Sequence, residues 1–153
     1  MMNVKRIRLD CFLYILTAAA LMGLVIWATM GEIARNPSRE AMVELGSYGM
    51  VTVQFETDPY PAKPTGPVSL NFMFMDSRNQ TIEPESFSFE YGRKGSDEPV
   101  GSGTVQPMSD GSGMFMTNAQ FPSVGIWWLR VNFAKDGYEE ELQFTIDVKP
   151  AQQ

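Results

Sequence analysis

From Cys11 to Met30 the chain reads CFLYILTAAALMGLVIWATM, 20 residues without a charge or a proline. At 1.5 Å per residue a helix of that length spans about 30 Å, the thickness of the hydrocarbon core of a bilayer. The expectation is one transmembrane helix over residues 11–30, in contact with membrane lipid. Tyr14 and Trp27 lie near its two ends, where amphipathic rings favour the headgroup level. Residues 1–10 carry Lys5, Arg6 and Arg8 against Asp10, which places the N-terminus in the cytoplasm by the positive-inside rule. Arg35 and Arg39 follow the run, mixed with Glu32, Glu40 and Glu44.

A cleaved signal peptide is the rival reading, but its apolar core is normally only about 7–15 residues. No small-x-small cleavage site follows the run: Ala28-Thr29-Met30 ends in methionine, and Glu32-Ile33-Ala34 puts an acid in the wrong place. The sole cysteine, Cys11, precedes the run, whereas a lipoprotein cysteine would follow it. Within the run Ala19 and Gly23 are four residues apart and share a helix face, a small-residue pair that would admit a second helix. The expected address is a bacterial inner membrane, with the C-terminal part on the periplasmic or extracellular side.

Beyond the run the chain is acidic: residues 31–153 hold nine Lys and Arg against 17 Asp and Glu. Such a surface repels phosphate backbones, so nucleic acid is excluded as a partner. Residues 31–48 read as a linker, with Asn36-Pro37 as an N-cap and first turn of a short helix reaching about Glu44 and stopped by Gly46. The period then changes to two. Val51, Val53 and Phe55 alternate, as do Val68, Leu70, Phe72 and Phe74, and then Phe87, Phe89 and Tyr91. A weaker strand covers Val100 to Val105, and another Met114 to Phe121. Trp127, Leu129, Val131 and Phe133 alternate in the next, and Leu142, Phe144, Ile146 and Val148 in the last. About seven short strands separated by Gly, Pro and Asp predict an immunoglobulin-like antiparallel β-sandwich over residues 49–150.

The chain has no histidine, and no cysteine outside the apolar run, so the commonest acid–base, nucleophilic and metal-ligating groups are missing from the domain. No glycine-rich phosphate loop is present. Glu139-Glu140-Glu141 reads as a solvated strand start, and Asn79-Gln80-Thr81 as a turn. These features predict a non-enzyme with no catalytic residues. Methionine, at 11 residues, is the unusual count. Met73 and Met75 flank Phe74, and Met114 and Met116 flank Phe115. Residues two apart in a strand share a face, so these four thioethers could hold Cu(I), a soft cation suited to sulfur. They would equally serve as a partner-facing apolar patch or as flexible packing. Trp127 and Trp128 alternate, so one of them points outward, and an outward Trp beside outward Met73 and Met75 would form a protein-binding patch.

The stretch from Val51 to Val131 resembles the extracytoplasmic modules called YtkA-like. The likeness lies in Asp58-Pro59-Tyr60-Pro61 after the first strand, Asp76 in a turn, Gln106-Pro107-Met108, and the strand Gly125-Ile126-Trp127-Trp128-Leu129-Arg130-Val131. With an N-terminal anchor the chain also resembles the FixH group, associated with assembly of copper–haem terminal oxidases. The resemblance implies an accessory or assembly subunit of a membrane complex, a respiratory or electron-transfer one, with integral membrane subunits as partners. The alternative is a periplasmic Cu(I)-handling protein using the methionine cluster. The absence of histidine departs from the copper-handling modules.

Overall fold

A computed structural model of the chain describes residues 17–24 and 37–151. The chain divides into two compact units, Met1–Pro37 and Ser38–Gln153. In the first, residues 17–24 are helical, with Ala19, Leu21, Met22, Gly23 and Leu24 all exposed. Among the described residues no helix is long and apolar enough to cross a membrane. The rest of the 11–30 span, with Cys11, Tyr14, Trp27 and the basic N-terminus, lies outside the described residues.

The second unit is built from nine strands: β1 (Arg39–Glu44), β2 (Met50–Asp58), β3 (Pro67–Met75), β4 (Ser86–Arg93), β5 (Gly101–Thr104), β6 (Gln106–Pro107), β7 (Met114–Gln120), β8 (Gly125–Lys135) and β9 (Tyr138–Val148). They form two antiparallel sheets, ordered β1-β2-β3-β7-β6 and β5-β4-β8-β9. The alternation that marked the strands also sets their inner face. Val51, Val53, Phe55, Leu70, Phe72, Phe74 and Phe115 of the first sheet are buried against Phe87, Phe89, Trp127, Leu129, Val131, Phe133, Phe144 and Ile146 of the second.

Phenylalanine rings interlock across the gap between the sheets. Phe87 meets Phe72 and Phe74 edge-on, with centroids 4.9 and 5.1 Å away, and Phe74 meets Phe133 at 4.9 Å. Contacts of this kind add about 0.5–1.5 kcal/mol each beyond simple burial. Tyr91 bridges the sheets at one end: its hydroxyl donates to the Gln120 carbonyl (3.0 Å) and accepts from the Gln120 N–H (3.2 Å). The β8–β9 hairpin closes through Asp136-Gly137, both at positive φ (51° and 81°). That is the two-residue geometry that matches the twist of the flanking strands.

Two expectations are corrected. Residues 39–44 are not a helix but strand β1, paired along its whole length with β2 from Arg39↔Phe55 to Glu44↔Met50. Glu40, Ala41 and Met42 favour a helix in isolation. Their order nevertheless alternates, with Ala41 and Val43 packed against the core and Glu40, Met42 and Glu44 exposed, and pairing with β2 decides the outcome. Strand count rises from seven to nine because β1 lies within the stretch whose sequence predicts a linker and the Val100–Val105 region continues into β6 after switching sheets at buried Val105.

One core residue is out of keeping with its surroundings. Thr57 is fully buried in β2, and its Oγ1 finds no hydrogen-bond partner. Replacing it by valine removes a desolvated hydroxyl and keeps the branched shape. Thr57→Val should leave stability unchanged or raise it by up to about 1–2 kcal/mol. Urea unfolding would read this as a higher midpoint at constant slope, and a lower midpoint would mean that the hydroxyl is bonded.

Candidate functional site

The outer face of the five-stranded sheet is where the chain's unusual residue type collects. Strand parity sends Met42 of β1, Met50 of β2, Met73 and Met75 of β3, and Met114 and Met116 of β7 outward, opposite the buried phenylalanines. Met108 extends the β6–β7 ladder by one residue, its N–H donating to the Met114 carbonyl at 2.8 Å. These are all seven methionines of residues 38–153, and none belongs to the core.

Backbone register fixes which of them meet. Met73 stands directly across from Met114, and Asn71 directly across from Met116, which makes Met116 the diagonal neighbour of Met73. Directly opposed residues have Cβ atoms about 4.5–5.5 Å apart, and diagonal ones lie about 7–8 Å apart. Met75 lies across from Thr52, which lies across from Met42. The four methionines expected from the sequence thus occupy adjacent strands of a single face. Met73, Met75, Met108 and Met114 are half-buried, whereas Met42, Met50 and Met116 are 66%, 48% and 45% exposed. A depression of about 60 Å³ opens at the centre of the face, lined by Gln54, Glu56, Asn71, Phe72, Met73 and Met114.

The electrostatics of this face are one-sided. Its outward strand positions include Glu40, Glu44, Glu56 and Asp58, and none is Lys or Arg. Gln54 donates to Glu40 at 2.8 Å, and Ser69 to Asn118 at 3.1 Å. Neutral sulfur donors flanked by carboxylates favour a cation over an anion.

The tryptophans do not join the face. Trp127 is 1% exposed, edge-on to Phe121 and tilted against Tyr91, and its Nε1–H donates to the Ser123 carbonyl at 3.1 Å. Trp128 does point outward, but from the other sheet, and the expected exposed patch is absent because the β4–β5 loop covers it. Its Nε1–H donates to the Ser96 carbonyl at 2.7 Å, the Arg130 guanidinium lies 5.1 Å from its ring centroid, and it is 8% exposed. Ala19 and Gly23 belong to the helical unit, and a Cβ added at Gly23 would meet nothing within 4 Å.

A depression of about 440 Å³ lies on the four-stranded sheet and is open and polar, lined by Ser86, Ser88, Asn132 and Glu139 to Glu141 among others. Glu139 and Glu141 are exposed, as expected of a solvated strand start, and Glu141 reaches Arg130 Nε at 3.4 Å. Glu90 holds the same guanidinium at 2.6 Å and raises the Arg130 pKa further, which makes the cluster a structural ion pair. Among the described residues no three His, Cys, Asp or Glu side chains gather as metal ligands. Asn79 sits at φ 59° in a turn whose Asp76 carboxylate accepts from the N–H groups of Arg78 and Gln80, both at 2.8 Å.

Sequence reasoning missed Met42, Met50 and Met108. The signal for two of them was present. Met42 lies between Ala41 and Val43, and Met50 is out of phase with Val51 and Val53. Met108 could be placed only once the register of β6 was known.

No family model matches this chain, and no curated protein does. Among solved structures, the crystal structure of CopC from Methylosinus trichosporium OB3b aligns with 75% of this chain and 98% of that one. The sequence identity is 17% and the TM-score 0.44. At that level the likeness carries no functional inference.

The covering of Trp128 is open to test. A Cβ at Gly92 would lie 2.3 Å from Trp128 Cζ2 and 2.8 Å from the Glu98 carbonyl. Gly92→Ala should therefore displace the indole, shift tryptophan emission to the red and cost about 1–3 kcal/mol. An unchanged spectrum and stability would mean that the loop does not hold the ring.

Proposed function

We propose that this is a non-enzymatic, extracytoplasmic copper-handling module whose working surface is the outer methionine face of the five-stranded sheet, with Cu(I) as its cargo. The observation that carries the reading is the segregation of every sandwich methionine onto one face, with Met73 and Met114 opposed in the ladder and Met75, Met108 and Met116 around them. Cu(I) is soft and takes thioether ligands, whereas divalent hard cations prefer oxygen. Methionine has three rotatable bonds, so sulfurs on neighbouring strands can converge on one ion without moving the backbone. The carboxylates of the face, Glu56 at the central depression and Glu40, Glu44 and Asp58 farther out, add a favourable field for a cation. Residues 11–30 are read as the anchor that holds the module at a membrane, where tethering raises its effective concentration near integral membrane partners.

A second reading keeps the module as an accessory subunit that docks an integral membrane complex, a respiratory one, on the same face. The exposure of Met42 on β1 and Met50 on β2, strands outside the Met73–Met114 pair, favours it. Met-to-Leu substitution separates the two, because it conserves volume and apolarity but removes sulfur. Under the copper reading, leucine at Met73 or Met114 should weaken Cu(I) binding at least about tenfold, a loss of about 1.4 kcal/mol or more. Competition with a Cu(I) chelator measures this, and X-ray absorption should show sulfur-only ligation. Undiminished binding in a Met73→Leu/Met114→Leu variant would overturn the copper reading. Co-purification of stoichiometric membrane subunits that survives the same variant would establish the docking role.

Thioethers carry no proton to lose, unlike imidazole or thiol ligands. Cu(I) affinity should therefore stay flat between about pH 5 and 8. A steep fall toward acid across that range would place the metal on other donors.

A further inference from the structure

We infer that the methionine face is a reversible oxidation site: peroxides convert its thioethers to sulfoxides, switching the face from soft and apolar to hard and polar while the sandwich stays folded. The modification stands on the fold alone; its consequence for metal release rests on the Cu(I) reading above.

The placement of the methionines is the first ground. Methionine is ordinarily a buried residue, and oxidising a buried one forces a polar group into a core and disrupts it. Here the core is built from Phe, Val, Leu, Ile, Ala, Tyr and Trp, and contains no methionine. All seven oxidisable side chains of the sandwich stand on the solvent side of one sheet, so oxygen can be added to each without touching the packing that holds the sheets together.

The surroundings are the second ground. A sulfoxide oxygen is a hydrogen-bond acceptor that needs a donor, and the ladder sets carboxamides beside the sulfurs. Met116 lies between Asn71 of β3 and Gln106 of β6, and Gln54 of β2 lies across from Met73. The oxidised face therefore has polar partners within reach: the Asn71 and Gln106 amides beside Met116, and the second N–H of the Gln54 amide, whose first donates to Glu40.

The step balances simply. A sulfur lone pair attacks one oxygen of hydrogen peroxide, the O–O bond breaks, sulfur is oxidised by two electrons, and the peroxide is reduced to water. A dithiol-dependent sulfoxide reductase reverses it, forming a disulfide and water. A sulfoxide is no longer a soft thioether donor, so Cu(I) loses its ligands as the face is oxidised. An oxidant would thereby release the ion, and a reductase would restore the site.

The test uses the full-length chain in detergent, titrated with hydrogen peroxide and mapped by peptide mass spectrometry. Met42, Met50 and Met116 should gain one oxygen each first, followed by the half-buried Met73, Met75, Met108 and Met114. The fully oxidised sandwich should keep its near-UV circular dichroism and shift its thermal midpoint by less than about 4 °C. Its retention on a hydrophobic resin, to which residues 11–30 contribute in either state, should fall relative to the unoxidised chain and recover after treatment with methionine sulfoxide reductases. Cu(I) affinity should fall at least about tenfold on oxidation and return on reduction.

Collapse of the near-UV signal on oxidation, or failure of Met73 and Met114 to take oxygen after Met42 is complete, would overturn the proposal. Unchanged Cu(I) affinity in the fully oxidised chain would overturn the metal-release consequence and place the ion on donors other than the thioethers. If the unoxidised chain binds no Cu(I), the copper reading falls instead, and the mapping, midpoint and resin retention still decide the oxidation. A Met73→Leu/Met114→Leu variant should accept oxygen at the five remaining positions with its fold intact; unfolding on oxidation there would count against a fold indifferent to the face.

Discussion

The interlocked phenylalanines between the two sheets fix everything else about this domain. Phe72 and Phe74 of β3 are held against Phe87 of β4 in edge-on contacts of 4.9 and 5.1 Å. A strand's side chains alternate strictly, so a slip of one residue would turn every one of these rings to solvent. With that slip forbidden, Met73 and Met75 have nowhere to go but outward. Phe115 of β7, packed on Phe74 and Phe87, does the same for Met114 and Met116. The proposed site is thus a by-product of core packing: the register that fills the interior is the one that lines up the sulfurs.

The two outer faces have diverged in chemistry. On the four-stranded sheet Arg130 stacks near the Trp128 ring and contacts Glu90 and Glu141, and Lys135 approaches Glu85 at 3.7 Å. That surface carries ion pairs of its own, each worth little at such exposure, and its one large aromatic is covered by a loop. The outer strand positions of the five-stranded sheet carry acids without bases. Only the latter presents soft donors in an uncompensated negative field. A ligand with positive charge and affinity for sulfur would find one face of this sandwich suitable and the other already occupied by its own contacts.

Most of the architecture was legible because period-two alternation is a strong signal wherever one face is dry and the other wet. Val68-Ser69-Leu70-Asn71-Phe72 and Leu142-Gln143-Phe144-Thr145-Ile146 announce their strands without ambiguity. β1 was harder: Glu40, Ala41 and Met42 favour a helix locally, and only the partner strand, distant in the fold, overrides them. The burial of Trp128 is illegible for a related reason. Its outward direction follows from parity, but its burial depends on where the 94–98 loop returns, and on Gly92 leaving room beneath the ring. The candidate site was half visible. Pairs such as Met73/Met75 and Met114/Met116 could be read from spacing, while the opposition of Met73 to Met114 needed the strand order, which no local pattern encodes.

β6 is only two residues long and ends in Pro107. Beside it, most of β7 has no strand on that flank, so an open backbone edge borders a broad methionine surface. In other proteins that combination invites sheet-to-sheet growth between molecules. Here proline withholds a donor from any incoming strand, and at the far margin Glu40 and Glu44 bring charge to β1. The surface can therefore stay open to small ligands while the rims resist templating by a neighbouring strand.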